Sequence, residues 1–310
     1  MPTRRNFVTS TLVTSTIGAG ALLAMGPRKA AAQADRRQIV DAQVHLWKAE
    51  SPDWKWVPGL VPQLPEPFTI ERYMPLMEEA GVDRMVIVPP SWPGDRNDYA
   101  IEAVKRYPAR FAIMGRIPLD KPESAALLPK WKEQPGMKGI RLTFMREQAA
   151  MLDHADWIFP AAEKAGLPIM FFAPGNIPKF AGIAERHPAL TLIIDHMSLT
   201  AEIAKEGKIA PAIDEVVKVA KYPNVSVKVS SAPNFSQEAY PFRDMTVHIK
   251  RCFDAFGPQR CYWGTDLTNS MPKATYRQRI THFTEELPFL SESDKDWVMG
   301  KAILATLKWP

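Results

Sequence analysis

The run IVDAQVHLW, residues 39–47, carries polar side chains at alternate positions, namely Asp41, Gln43 and His45. Side chains alternate between the two faces of a β-strand, so these three are predicted to share one inward face. An imidazole can ligate a divalent metal or stabilise charge on a carbonyl oxygen, whereas a neutral amide binds zinc weakly. The pattern therefore offers His45 as a candidate metal ligand or electrophile, next to an amide at Gln43 that would contribute little to a metal site.

Further side chains with acid, base or anion-binding chemistry occur in other short apolar runs: Arg116 in FAIMGRI, Arg141 in MKGIRLTF, His196 in LTLIIDH, Lys228 in NVSVKVSS and Asp266 in RCYWGTD. An ionised Asp266 suits a general base that accepts a proton from water, and His196 suits an electrophile beside it. Arg141 and Lys228 are predicted to hold a carboxylate or sulfonate of the substrate, Arg141 through a bidentate fork. Arg116 is a further candidate for binding an anion.

These residues need strands that bring them together, and the chain supplies a repeated pattern of strand and helix. Amphipathic segments such as TIERYMPLMEEAG and DMTVHIKRCFDAFG separate the apolar runs, and several end in Gly or precede Pro. A doubly wound open sheet is the alternative, but no Gly-x-Gly-x-x-Gly follows any run. The pattern therefore predicts a (β/α)8 TIM barrel with strands at 38–45, 84–90, 111–117, 137–144, 167–174, 190–196, 224–231 and 260–266.

In such a barrel the catalytic groups lie at the carboxyl ends of the strands. Alternation along the fourth and seventh strands turns Arg141 and Lys228 inward. The Pro- and Trp-rich segment at 51–68 is long for an ordinary connection and is predicted to border the mouth, with Trp47 as a wall of the pocket. We therefore expect one mouth to gather His45, Arg141, His196, Lys228 and Asp266.

The composition is that of a globular chain with a distinct amino-terminal segment. Of the 310 residues, 46% are hydrophobic and 24% are charged, which suffices for one large core. Residues 1–34 hold four basic side chains and no acid, so without them the formal net charge falls from +5 to +1. This small charge gives no support for a nucleic-acid or anionic-membrane partner.

Residues 1–34 resemble a twin-arginine export signal. The pair Arg4 and Arg5 precedes the weakly apolar run VTSTLVTSTIGAGALLAM, which leads to Pro27 and the small residues KAAAQA. A membrane anchor is the alternative, but Ser, Thr and Gly interrupt the run, which is short for a spanning helix. We expect an exported, periplasmic protein that engages the export machinery, has no stable membrane anchor and forms one domain at 35–310.

The chain has two cysteines, Cys252 and Cys261, which are too few for a disulfide framework or a zinc ribbon. Export would permit a bridge between them. Two buried free thiols are nevertheless the prediction.

The segments VDAQVHLW, GIRL, DH at Asp195–His196, VKVS and AFGPQRCYWGTD, with the eightfold layout, resemble the amidohydrolase superfamily from about Gln38 to Pro310. The resemblance is to the amidohydrolase-2 group, which includes sugar-acid lactonases, pyrone-dicarboxylate lactonases, sulfomuconolactone hydrolases and aromatic-acid decarboxylases. It implies first-strand histidines, a fifth-strand and a sixth-strand His and an eighth-strand Asp around one or two divalent metals. This chain departs at Gln43, which replaces the first His, and at Phe171–Ala173, where the fifth-strand His is expected.

The resemblance implies a divalent metal, zinc before other ions, held by His45, His196 and Asp266 with Gln43 as a weak fourth ligand. It also implies a lactone hydrolase in which Asp266 activates water and His196 or His45, with or without zinc, stabilises the oxyanion. A decarboxylase or lactone isomerase of the same superfamily, or a non-catalytic periplasmic binding barrel, is the alternative. We expect a small anionic lactone from the catabolism of aromatic or sugar acids as the substrate, and leave a homo-oligomer open.

Overall fold

Eight short parallel strands form a barrel in the computed structural model, which describes residues 36–310 apart from the side chains of 146–149. Each strand pairs with the next along the chain. Backbone hydrogen bonds from Ala42 N to Trp263 O and from Asp266 N to Gln43 O join the last strand to the first. The predicted (β/α)8 barrel is confirmed, with strands β1 Val40–Val44, β2 Arg84–Ile87, β3 Phe111–Gly115, β4 Met137–Thr143, β5 Ile169–Phe172, β6 Leu192–Ile194, β7 Val225–Lys228 and β8 Cys261–Tyr262.

The helices follow the predicted amphipathic segments. In the first of them, Ile70, Tyr73 and Met77 recur at three- and four-residue spacing on the buried side. Thr69 caps its first turn and Gly81, with φ 76°, ends it. The α-helices of the described residues are α1 Ile70–Ala80, α2 Asp98–Arg106, α3 Ile158–Ala165, α4 Ile177–Arg186, α5 Ala201–Lys205, α6 Ile209–Lys218, α7 Ala232–Phe235, α8 Arg243–Phe256, α9 Tyr276–Thr284, α10 Glu292–Asp296 and α11 Ala302–Thr306. The 3-10 segments are Pro122–Glu133, Arg146–Asp153, Asp195–Ser198, Val219–Lys221, Pro258–Arg260 and Leu267–Lys273, and a π-helical turn covers Trp297–Lys301.

The side chains of β1 break the predicted alternation. Val40 and Ala42 pack inside the barrel with residues of β2, β3, β5 and β6. Val44 instead packs in the hydrophobic layer between the barrel and the helices. The register of β1 on β2 shifts between Asp41 and Val44, as at a β-bulge. The prediction that Asp41 shares the inward face of β1 is therefore wrong, and its carboxylate instead accepts a hydrogen bond from Tyr276 of α9.

The barrel forms one compact unit over Gln38–Pro310. The predicted export signal at 1–34 lies outside the described residues. Within 36–310, no helix combines the length and the apolar character needed to cross a bilayer. Cys252 and Cys261 are buried free thiols, as predicted, and burial raises the pKa of Cys252 to about 12.

Candidate active site

Asp266 lies where the chain leaves β8, beside the end of β1. Its backbone N–H donates to the Gln43 carbonyl at 2.9 Å, and its φ of 48° and ψ of 49° place it in the left-handed region. Oδ1 lies 3.2 Å from His45 Nε2, and Oδ2 lies 3.7 Å from His196 Nε2. The first, sixth and eighth strands thus bring these three predicted residues together.

Two further hydrogen bonds hold the Asp266 carboxylate. The Ser231 hydroxyl donates to Oδ2 at 3.2 Å, and the Asn269 amide donates to the same oxygen at 3.0 Å. Burial raises the pKa of Asp266, but the His196 and His45 rings and the Asn269 amide outweigh it and hold the pKa below its usual range. Asp266 is therefore ionised at neutral pH and can only accept hydrogen bonds.

The two histidine rings are fixed by different partners. His45 Nδ1 lies 2.6 Å from the Val88 carbonyl oxygen, which can only accept, so Nδ1 carries a proton and Nε2 faces Asp266. His196 adopts the left-handed region with φ 54°, and its Nδ1 lies 2.8 Å from the Ser230 hydroxyl. Burial lowers the pKa of His196 to about 4, so this ring is neutral at neutral pH.

Asp41 supports the backbone from which Asp266 emerges. Its carboxylate accepts from Thr265 N at 2.8 Å, from the Thr265 hydroxyl at 2.5 Å and from the Tyr276 hydroxyl at 2.7 Å. Burial raises the pKa of Asp41, although these hydrogen bonds oppose the rise. The bulge in β1 thus turns a carboxylate outward, where it fixes the residue that precedes Asp266.

A buried ionic cluster lies beside Gln43. Lys228 Nζ donates to Gln43 Oε1 at 2.6 Å and lies 2.9 Å from Asp195 Oδ1, and Arg141 Nε pairs with Asp195 Oδ2. Burial raises the pKa of Asp195, but Lys228 and Arg141 outweigh it and hold the pKa below its usual range. Burial also lowers the pKa of Lys228, against the attraction of Asp195. Arg141 and Lys228, predicted as separate substrate anchors, therefore share one protein carboxylate.

The three catalytic candidates, His45, His196 and Asp266, line a cavity of about 290 Å³. Arg116 and Arg141 line the same cavity. Apolar walls come from Trp92, Phe172 and Phe235, and Trp92 lies edge-on to the His45 ring with centroids 6.4 Å apart. Such a lining suits a small ligand that carries both an anionic group and a carbonyl.

Two predicted substrate-binding residues do not reach this cavity. Lys228 and Trp47 are both 0% exposed, and neither lines it. Lys228 is held within the ionic cluster, while Trp47 packs against Phe68 and Trp92. Trp92, in the connection after β2, forms the wall that was predicted for Trp47.

Sequence reasoning missed several polar residues that hold the charged groups. Asn269 lies one helical turn beyond Asp266, and Ser231 is the last residue of the predicted seventh strand. Their signal is polarity at or just after a strand end, which is common enough to be uninformative without the fold. Asp195 belongs to the DH segment of the family resemblance, but its pairing with Arg141 and Lys228 has no sequence signal, because these partners come from β4 and β7.

The donor atoms do not fit a tightly held zinc ion. Such a site needs three or four N, S or O ligands. Across 36–310, no group of three or more His, Cys, Asp or Glu side chains is arranged to hold a metal. The oxygen of Gln43, the predicted weak fourth ligand, accepts from Lys228. The ligand roles of Gln43, His45, His196 and Asp266 therefore stay predictions.

Comparison with known proteins gives the relatives of the chain. The family model described as amidohydrolase, of the amidohydrolase-2 type, matches residues 40–308. The L-fucono-1,5-lactonase of Burkholderia ambifaria is 25% identical over 244 residues, which cover 73% of this chain and 79% of that protein. The 4-sulfomuconolactone hydrolase of Hydrogenophaga intermedia is 28% identical over 211 residues, covering 64% of this chain and 65% of that protein.

A solved amidohydrolase from Burkholderia multivorans, with bound zinc, shares the fold. Its TM-score is 0.73 at 19% identity, covering 88% of this chain and all of that one. At this identity the likeness concerns the fold alone. The match to the family model shows membership of the family as well as the fold, because it runs from β1 to beyond α11 and so spans the whole barrel. This chain is therefore a member of the amidohydrolase-2 family.

Proposed function

We propose that this chain hydrolyses the ester bond of a small anionic lactone. The observation that carries the proposal is the Asp266 carboxylate, flanked by His45 and His196 in a cavity that two arginines also line. The two curated relatives named above, a lactonase and a muconolactone hydrolase, support the same chemistry.

In the proposed reaction, Asp266 accepts a proton from water as the water oxygen attacks the lactone carbonyl. When the Ser230 hydroxyl donates to His196 Nδ1, the single ring proton lies on Nε2, from which it donates to the carbonyl oxygen as negative charge develops there. Collapse of the tetrahedral intermediate breaks the ring C–O bond. Asp266 then returns the proton to the released alkoxide, and the product is the open hydroxy acid.

The anionic group of the substrate is proposed to bind Arg116 in preference to Arg141. Arg141 already donates to Asp195 through Nε and to Thr143 through Nη1. Within the described part of the chain, Arg116 contacts a carboxylate through Nε, 3.3 Å from Asp95 Oδ1. Its two terminal amino groups are therefore the better pair for a bidentate carboxylate or sulfonate.

The test is the hydrolysis of a panel of carboxy- and sulfo-lactones by the wild type and by Asp266→Asn, with products identified by NMR. We expect the wild type to open at least one anionic lactone and the variant to lose at least roughly a hundredfold in kcat, because the general base is gone. Asp254→Asn changes an exposed carboxylate on α8 and should keep full activity. Near-normal turnover by Asp266→Asn would contradict the base, and an isomeric lactone as product would contradict hydrolysis.

We also propose that the chain is exported to the periplasm. Support comes from Arg4 and Arg5 ahead of a weakly apolar run, because an arginine pair in this position is typical of twin-arginine signals. These residues lie outside the described part of the chain.

A further inference from the structure

The mechanism above gives no role to Lys228, although its ammonium is wholly buried beside the catalytic groups. Nζ donates to Gln43 Oε1 at 2.6 Å and forms an ion pair with Asp195 Oδ1 at 2.9 Å. Removing an ammonium from water costs several kcal/mol unless pairing and hydrogen bonds offset it. The side chain is 0% exposed, so it cannot bind substrate directly and must act through the residues that it contacts.

The four charged side chains nearest His45 and Gln43 balance before any metal is added, and Arg116, further along the cavity, is paired with Asp95. Lys228 and Arg141 each carry one positive charge, and Asp195 and Asp266 each carry one negative charge. All four are buried. A divalent cation among them would leave two uncompensated positive charges in surroundings where isolated charge is costly.

Gln43 connects this charge balance to His45. Because Gln43 Oε1 accepts from Lys228, the amide nitrogen is on the other side of the group, 3.4 Å from His45 Nε2. An amide nitrogen donates hydrogen bonds and offers no lone pair to a metal. The family resemblance implies a metal-binding His at position 43. This chain instead has the Gln43 amide there, which donates through its nitrogen and accepts from the Lys228 ammonium through its oxygen.

We propose that the Lys228 ammonium, held by Gln43 and Asp195, replaces the metal ion in this site, supplying positive charge and opposing the entry of zinc. Lys228 is then a positioning residue, because its hydrogen bond to Oε1 fixes the orientation of the Gln43 amide, whose nitrogen lies 3.4 Å from His45 Nε2. The inference concerns metal binding and does not depend on which substrate is turned over.

The experiment is a zinc titration, under a competing chelator, of four metal-free proteins: wild type, Gln43→His, Lys228→Met and the double variant. Wild type and Lys228→Met should bind zinc weakly, because an amide is a poor ligand. Gln43→His should bind zinc no more than about threefold more tightly than the wild type, because the Lys228 ammonium beside the new imidazole repels the metal ion. The double variant should bind at least about tenfold more tightly than Gln43→His, because a ligand is gained and the cation is removed.

Lys250→Met, which changes an exposed lysine on α8, is the matched control and should bind zinc as the wild type does. Equal affinities in Gln43→His and the double variant would show that the ammonium does not oppose the metal, and would overturn the inference. The wild type alone supplies a second test, which holds even where a variant fails to fold. One zinc ion per chain retained after dialysis against chelator would overturn the inference as well.

Discussion

At the residue scale, Arg116 is the side chain on which substrate choice is expected to depend. It is 8% exposed, so an anion that binds it loses most of its contact with water. Charge-assisted hydrogen bonds of this kind are stronger than neutral ones, and each contributes about 1.5–3 kcal/mol. Arg141 is less available, because Asp195 already holds its Nε.

Arg116→Gln should raise KM for an anionic lactone by at least about tenfold while kcat stays within a few-fold, because the anion lies away from the reacting carbonyl. An uncharged lactone of the same size should show no such change. Asp95→Asn keeps the guanidinium and removes only its protein partner, so its KM should not rise. Steady-state kinetics on both lactones checks this, and an equal loss on the uncharged lactone would refute anion binding by Arg116.

The site residues differ in how far the sequence predicts them. His45, His196 and Asp266 are predictable because each ends a recognisable strand, and strand ends of a barrel meet at one mouth. The inward direction of Lys228 follows from alternation, and its contacts with Gln43 and Asp195 agree with it. The pairing of Lys228 with Asp195 does not follow from alternation, because the two residues approach each other only when β6 and β7 lie side by side.

At the element scale, the β8–β1 seam holds the catalytic carboxylate. Gly264 lies in this seam, and a Cβ built on it would lie 3.1 Å from Gln43 N and 3.3 Å from Ala42 N. Those are backbone atoms at the bulge of β1, so they cannot yield as a flexible side chain would. The seam therefore has no room for a side chain at this position.

Gly264→Ala should lower the free energy of unfolding by about 1–3 kcal/mol, because the added methyl forces the two strands apart. It should also lower kcat, since Asp266 takes its place from its hydrogen bond to Gln43. Gly182→Ala in α4 is the control, because its methyl meets only the mobile end of Arg186 and Ala favours a helix. Urea unfolding of both variants checks the prediction, which fails if they are equally stable.

The elements themselves are largely predictable. All eight strands occur within the predicted ranges, because short β-branched runs between amphipathic helices leave few other arrangements. The bulge in β1 was not predictable, since the residues at Asp41 to Val44 alternate as an ordinary strand would. It reverses the direction of Asp41, which joins Thr265 and Tyr276 only after the barrel closes.

At the scale of the whole molecule, a buried histidine makes stability depend on pH. His282 of α9 is 1% exposed and packs edge-on to the rings of Phe242 and Phe283. Burial lowers its pKa from 6.5 to about 4, so between these values the unfolded chain binds more protons than the folded one. Its stabilising contribution is fully present above pH 6.5 and is lost as the pH falls towards about 4.

His282→Met should remove the His282 share of this dependence and leave that of His196, whose pKa burial also lowers to about 4. Between about pH 7 and pH 4, the wild type should lose on the order of 3 kcal/mol more free energy of unfolding than the variant does. His154→Met replaces an exposed histidine and should lose as much as the wild type. The measurement is urea unfolding across this pH range, and parallel losses in the wild type and His282→Met would refute the prediction.

The export proposal also concerns the whole chain. Replacing Arg4 and Arg5 with Lys should leave the precursor in the cytoplasm, because the twin-arginine pathway reads the pair. Deleting residues 1–34 should give a soluble, active enzyme, since the barrel unit begins at Gln38. Cell fractionation checks the first and a lactone assay the second. Unchanged export of the lysine variant would exclude a twin-arginine signal.

The seam between β8 and β1 has a consequence for how activity arises during synthesis. Asp41 and Thr265 are 224 residues apart in sequence, so the contact that fixes Asp266 forms only after nearly the whole barrel has left the ribosome. Contacts of such long range are entropically costly and slow to form. A nascent chain that stops before β8 lacks Asp266, the general base, so incomplete chains should have no lactonase activity. Lactone opening in a cell-free translation would therefore time the moment at which the ring closes.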